Sequence, residues 1–233
     1  MQKRDYELTA AMMAERTSWK NLAQEKAFPR LYAILDMNII ERRGLDLFET
    51  ARIWRDAGIE IVQYRDKVSS SLMVVSNAAR LRHIFMGSDT LFVLNDSPAM
   101  ARDAGVQAVH IGQTDSTVEI ARKSVDFVGI STHNEREVIA ADQSDALYVA
   151  IGPVFSTPTK RDTAPLVGLD GVARARQLTS KPLVAIGGIT LSNAPDVIAA
   201  GADSVAVISS LLEGDLERRA KDFLQAVSLS SAA

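Results

Sequence analysis

Residues 126–151 read DFVGISTHNEREVIAADQSDALYVAI. Two short apolar runs, at 126–130 and 147–151, flank an amphipathic stretch at 134–142. Continuous apolar strands joined by a helix belong to a parallel sheet covered by helices, since both faces of each strand are then buried. Outward from this unit the pattern recurs. It predicts further strands at 31–35, 59–64, 91–94, 106–111, 182–186 and 203–208. Helices are expected near 46–57, 70–86, 97–103, 116–123, 170–179, 192–199 and 214–227. Eight strand–helix units predict an α/β fold, a single (β/α)8 TIM barrel. An open doubly wound sheet would place a glycine-rich loop after its first strand, and residues 36–44 do not form one. The pairs Ala57-Gly58, Ala104-Gly105 and Ala200-Gly201 recur at helix ends just before strands, where glycine accepts the left-handed conformation that closes a helix.

The reading divides the chain into an N-terminal helical extension at 1–29, a catalytic barrel at 30–227 and a disordered tail, SLSSAA, at 228–233. In the extension Leu8, Met12, Trp19 and Leu22 share one helix face, which would close the barrel bottom or meet a second subunit of a homo-oligomer. A frayed extension is the alternative. With no cysteine in the chain, disulfides, thiolate metal sites and cysteine nucleophiles are excluded together. Basic and acidic residues number 26 and 29, so there is no basic surplus for nucleic acid. No apolar run approaches a bilayer span, and MQKRDYELTAAMMAERTSWK lacks a secretory apolar segment. A cytoplasmic protein is expected.

In such barrels the active site lies at the C-terminal ends of the strands. Three sets of residues fall there. Arg65, Lys67 and Lys160 are cations able to hold a highly charged anion. Asp96 and Asp115, on adjacent loops, are hard oxygen ligands suited to Mg2+ bridging protein and substrate phosphates. Gly187-Gly188 and Ser209 follow strands 7 and 8, where these barrels often cradle a phosphate on backbone N–H groups. Each set has a plainer alternative. Arg-x-Lys is common on surfaces, Asp96 and Asp115 are also good helix caps, and paired glycines turn a chain tightly. Convergence on one rim favours the site. Of the histidines, His110 reads as packed core and His83 as surface, while His133 at a strand exit is either a proton donor or a hydrogen-bonding residue.

At Gln63-Tyr64-Arg65-Asp66-Lys67, Asn95-Asp96, Gly112-Gln113-Thr114-Asp115, Gly129-Ile130-Ser131-Thr132-His133, Gly152 to Lys160 and Ala185-Ile186-Gly187-Gly188-Ile189, the chain resembles the thiamine phosphate synthases. The resemblance runs from Leu31 to Val227. It implies a Mg2+-dependent transferase acting on two small molecules. The enzyme joins a hydroxymethylpyrimidine diphosphate to a thiazole phosphate, through a pyrimidine carbocation, and releases pyrophosphate. By the same resemblance, Gln63, Arg65, Lys67, Asn95 and Lys160 would contact the pyrimidine diphosphate, with Ser131 near the pyrimidine. Asp96 and Asp115 would hold the metal. Thr157, Thr159, Gly188, Ile208 and Ser209 would contact the thiazole phosphate. Tyr64, Asp66 and Pro158, inside the same motifs, are expected to border the substrates. Arg65, Lys67, Lys160 and Ser131 are the expected catalytic residues.

Tyr64 departs from the aliphatic residue or phenylalanine usual between Gln63 and Arg65, and the charged stretch NIIERRG after the first strand is unusual too. The rival reading is the related thiazole tautomerase, with His133 as general acid–base; it has no use for two metal-binding aspartates. A non-catalytic barrel that only binds phosphate ligands is a third reading.

Overall fold

The computed structural model describes residues 28–157 and 165–228. Eight parallel strands close on themselves in sequence order: β1 (Leu31–Asp36), β2 (Ile61–Arg65), β3 (Leu91–Asn95), β4 (Ala108–Ile111), β5 (Phe127–Thr132), β6 (Tyr148–Ile151), β7 (Leu183–Ile186) and β8 (Ser204–Val207). Strand β8 pairs back onto β1 through Val205 and Leu31. That closure excludes the open sheet. The connecting helices are α1 (Met37–Arg42), α2 (Leu47–Asp56), α3 (Ser71–Phe85), α4 (Pro98–Asp103), α5 (Val118–Ala121), α6 (Glu135–Asp142), α7 (Gly168–Leu178), α8 (Ala194–Ala199) and α9 (Leu216–Ser228). Within the described residues every strand and helix expected between 31 and 227 occurs, with ends shifted by a few residues. Among the described residues no helix is long and apolar enough to cross a membrane.

Local chemistry starts most of these helices. Asp46, Ser70, Ser97, Thr117 and Asn134 each accept a hydrogen bond from an N–H of the helix they precede, relieving donors that a first turn leaves unpaired. The glycines of the three Ala-Gly pairs all have positive φ: 88° at Gly58, 71° at Gly105 and 109° at Gly201. Two elements were not anticipated. The charged stretch after β1 is helical because Asp36 caps it at Ile39 N–H and because Ile39 and Ile40 are buried. After β8 the chain forms a 3-10 turn, Ser209–Leu212.

Strand parity sorts the core into two layers. Tyr32, Ile34, Ile61, Leu91, Val93, Ala108, Tyr148, Ala150, Val184 and Ala206 fill the barrel interior. Their alternate neighbours, among them Leu31, Leu35, Val62, Tyr64 and Phe92, pack outward beneath the helices with Trp54 and Phe223. Burial of each such large side chain contributes about 1.5–3 kcal/mol.

The barrel begins earlier than residue 30. Phe28 and Pro29 are buried, and the Phe28 ring joins the interior cluster 5.2 Å from that of Tyr148. The remaining extension residues, 1–27 with Leu8, Met12, Trp19 and Leu22, lie outside the described residues, as do 158–164 and 229–233. Ser228, assigned above to the tail, is the last residue of α9.

Candidate active site

A cavity of about 680 Å³ opens among the C-terminal ends of the strands. Because the strands close in order, the residues that line it fall into sectors. The exits of β2, β3 and β4 contribute Gln63, Arg65, Lys67, Asn95, Asp96 and Asp115. The exits of β6, β7 and β8 contribute Thr157, Gly187, Gly188, Ile208 and Ser209. Ser131 and His133, from β5, stand between.

The first sector is a charge cluster. Arg65 is fixed by Asp36, whose carboxylate is almost fully buried and accepts from the guanidinium at 2.5 Å. Lys67 pairs with Asp96. Asp96 has a left-handed backbone, φ 68°, and its N–H is bonded to the carbonyl of His110 at 2.7 Å. Asp115 turns its own loop by accepting from Gly112 N–H at 2.7 Å. Burial first, and the neighbouring Asp115 carboxylate next, push the Asp96 pKa upward against the opposing pull of Lys67. Two carboxylates crowded in this way fit a hard divalent cation, which would relieve their repulsion. Among the described residues no group of three or more His, Asp or Glu is placed to hold a metal. The rest of a Mg2+ shell would therefore come from water and substrate phosphates.

The second sector is built from backbone. A Cβ on Gly188 would lie 2.6 Å from the Ser156 carbonyl oxygen, and one on Gly187 would lie 2.7 Å from Pro153 Cα. Both glycines have positive φ, 106° and 65° in chain order. Only glycine lets the β7 exit pack this closely under the β6 loop. The 3-10 turn that carries Ser209 is held from the far side by Arg43, which donates to the Ser209 carbonyl at 2.9 Å and pairs with Glu213 at 3.4 Å. Arg43 comes from the charged stretch after β1. That stretch thus shapes the second sector.

Across the interior runs a chain of polar side chains. Gln63 Nε2 donates to Tyr32 Oη at 2.8 Å, and Tyr32 and Tyr148 share a hydrogen bond of 2.8 Å. Tyr148 Oη meets His110 Nδ1 at 3.0 Å, and His110 Nε2 meets Ser131 Oγ at 2.8 Å. Burial pushes the Tyr32 and Tyr148 phenols up, so both stay protonated. His133 lines the cavity with its Nδ1 3.0 Å from Glu137 Oε2.

Eleven expected site residues line this cavity: Gln63, Arg65, Lys67, Asn95, Asp96, Asp115, Ser131, Thr157, Gly188, Ile208 and Ser209. Tyr64 and Asp66 do not. Parity turns Tyr64 outward, where its buried hydroxyl donates to Asp66 at 2.7 Å and accepts from Asn77 at 3.2 Å. Asp66 also accepts from the N–H groups of Val68 and Ser69, and so serves the loop after β2. Burial works to raise its pKa, but these donors hold it below the usual carboxylate range. A Tyr64→Phe variant is expected to lose about 1–2 kcal/mol of stability and to keep its steady-state constants; a raised KM for either substrate would return Tyr64 to the site. Pro158, Thr159 and Lys160 lie outside the described residues. Tyr32 and Tyr148, which line the cavity, and Asp36, which holds Arg65, were not anticipated, and His110, expected to be packed core, lines the cavity too. All four sit at inward strand positions, a signal that the period of two carries.

Comparison with known proteins gives a consistent result. Residues 31–211 match the family model described as thiamine monophosphate synthase. A thiamine-phosphate synthase from Koribacter versatilis is 44% identical over 209 residues, covering 88% of this chain and 98% of the relative. That from Chloroflexus aurantiacus is 37% identical, covering 80% and 86% respectively. The structure of a thiamine phosphate pyrophosphorylase from Pyrococcus furiosus superposes with a TM-score of 0.78 at 26% identity, covering 87% of this chain and 97% of that one.

Proposed function

Because the chain belongs to the thiamine monophosphate synthase family, a family of transferases, we propose that its cavity joins a hydroxymethylpyrimidine diphosphate to a thiazole phosphate, giving thiamine phosphate and pyrophosphate. The observation that supports the assignment of substrates is the sorting of the lining of one cavity into a charged β2–β4 sector and a β6–β8 sector of glycines and hydroxyls. The β2–β4 sector suits a diphosphate with its cation, and the β6–β8 sector suits a monophosphate.

In this reading Arg65, Lys67 and Lys160 bind the diphosphate and stabilise the charge it gains as its C–O bond breaks. Asp96 and Asp115 would hold Mg2+, with Asn95 beside them; the ion, when bound, supplies further charge neutralisation at the leaving group. The methylene carbon left behind is cationic, and the electron-rich aminopyrimidine ring shares that charge. Ser131 and Gln63 position the ring. Thr157, Thr159, Gly188, Ile208 and Ser209 hold the thiazole phosphate so that the ring nitrogen donates its electron pair to the cationic carbon, forming the C–N bond. No protein nucleophile takes part. The tautomerase reading would give His133, oriented by Glu137, the proton-transfer role, but it leaves the paired aspartates without one.

The test is pyrophosphate release by the purified chain, with each substrate and Mg2+ omitted in turn. Release should require all three and match thiamine phosphate one for one. Tight binding of thiazole phosphate with no release would move the assignment to the tautomerase or a binding protein. Lys160→Ala should lower kcat/KM for the diphosphate by about 100-fold; an unchanged value removes Lys160 from the site.

A further inference from the structure

The five side chains from Gln63 to Ser131 come from β2, β1, β6, β4 and β5 and cross an interior otherwise lined by Ile34, Ala150, Val184 and Ala206. Tyr32 and Tyr148 are each 1% exposed and His110 is 9% exposed, so a broken link is not replaced by bulk water. The barrel makes room for the chain. A Cβ on Gly129 of β5 would fall 2.0 Å from Tyr148 Cζ and 2.4 Å from its hydroxyl, which reaches past that glycine to His110 on β4.

The chain has a sense. The Gln63 Nε2 group only donates, so Tyr32 accepts from it and passes its own hydrogen to Tyr148. Tyr148 then donates to His110 Nδ1, which puts the imidazole proton on Nε2, facing Ser131 Oγ. Ser131 accepts from His110 and keeps its hydroxyl hydrogen for the cavity. At the other end one of the two Gln63 Nε2 hydrogens goes to Tyr32, which fixes the orientation of the amide and so the direction in which its acceptor oxygen faces. The sense cannot reverse at one end alone, because Tyr32 and Tyr148 each have a single hydrogen to pass along the chain.

We propose that His110 is a positioning residue: through Tyr148 and Tyr32 it ties the hydrogen-bonding sense of Ser131 to that of Gln63, so that the cavity meets a nitrogen heterocycle with a fixed donor and a fixed acceptor. This rests on the reading of the cavity as the pyrimidine site. It makes His110 act through Ser131, and that is what a kinetic cycle measures.

The experiment compares wild type, His110→Leu, His110→Gln, Ser131→Ala and the double variant His110→Leu/Ser131→Ala, varying each substrate in turn. Losing a directed bond at the reacting ring should lower kcat/KM for the pyrimidine diphosphate about 30-fold in His110→Leu. The KM for thiazole phosphate should stay within about twofold. Glutamine places an amide where Nε2 stands and should recover to within about fivefold of wild type. The double variant should be no worse than Ser131→Ala alone, to within about twofold. Losses that multiply in the double variant, or a His110→Gln as poor as His110→Leu, would overturn the proposal and leave His110 a packing residue. Melting curves accompany each variant; if His110→Leu does not fold, Tyr148→Phe takes its place in the same cycle. A wild-type chain with no turnover overturns the reading of the cavity and the proposal together. Turnover with independent losses overturns the proposal alone.

Discussion

An Asp96→Asn variant is expected to lose at least about 100-fold in Mg2+-dependent turnover and yet, without metal, to melt roughly 1–4 °C above the wild type. Both effects come from one arrangement. Asp96 is drawn into the cavity wall beside Asp115, and its carboxyl holds a proton to higher pH in the folded chain than in the unfolded one. A raised carboxyl pKa means that the native state binds more protons than the unfolded state, so stability falls as pH rises through the carboxylate range. At neutral pH the metal-free fold therefore carries an unfavourable charge. The Lys67 ion pair offsets part of this, but Lys67 is half exposed and such pairs are weak. Asparagine removes the charge and accepts the left-handed backbone at φ 68° as readily as aspartate. It also removes the anionic oxygen that a divalent cation requires. The measurement is a melting curve in chelator beside a pyrophosphate assay in Mg2+. Turnover near the wild-type value would take Asp96 out of the metal site, and a lower melting temperature would show that the Lys67 pair outweighs the repulsion from Asp115.

The strands were legible because a barrel strand buried on both faces must be apolar throughout, and the helices because each presents one apolar face, most with a capping residue before it. Helix α1 was not legible. Its run Met37–Arg42 is short, and what makes it helical is a tertiary fact: Asp36 caps it while serving Arg65. The lining of the cavity was legible wherever it rested on strand exits. It was not legible where a motif was taken as a contiguous block. Gln63, Arg65 and Lys67 share one parity and face the cavity, whereas Tyr64 and Asp66 share the other and serve the outer layer. The rule that directs attention to strand ends also hides residues one step below them. Tyr32, His110 and Tyr148 lie within strands, at inward positions, and form the floor. Hydrogen-bond partners across the interior, such as Tyr32 with Tyr148, come from strands that are not neighbours in the barrel, and no local pattern in either strand encodes their meeting.

Gly129→Ala is the smallest change expected to damage both the fold and the site. Gly129 does not have a left-handed backbone, so the argument is wholly one of space. The added methyl would sit 2.0 Å from Tyr148 Cζ, far inside contact distance, and the tyrosine is held by Tyr32, His110 and the Phe28 ring. Either the ring moves and breaks its hydrogen bonds, or β5 shifts against β6. Overpacking of this kind costs about 1–3 kcal/mol, which corresponds to a fall in melting temperature of roughly 3–10 °C for a chain of this size. Displacing the Tyr148 hydroxyl would also leave His110 without its Nδ1 partner, so activity should fall about 30-fold even well below the melting transition. A second substitution separates the two effects. Tyr148→Leu alone opens a void above Gly129, which the alanine methyl partly fills. The double variant Gly129→Ala/Tyr148→Leu should therefore be more stable than the sum of the single changes, by about 1 kcal/mol or more. It should remain as impaired in turnover as Tyr148→Leu alone, because the hydroxyl is gone. Additive stabilities would show that the alanine is accommodated without touching Tyr148, and recovered turnover in the double variant would show that the hydroxyl chain is not needed for the reaction.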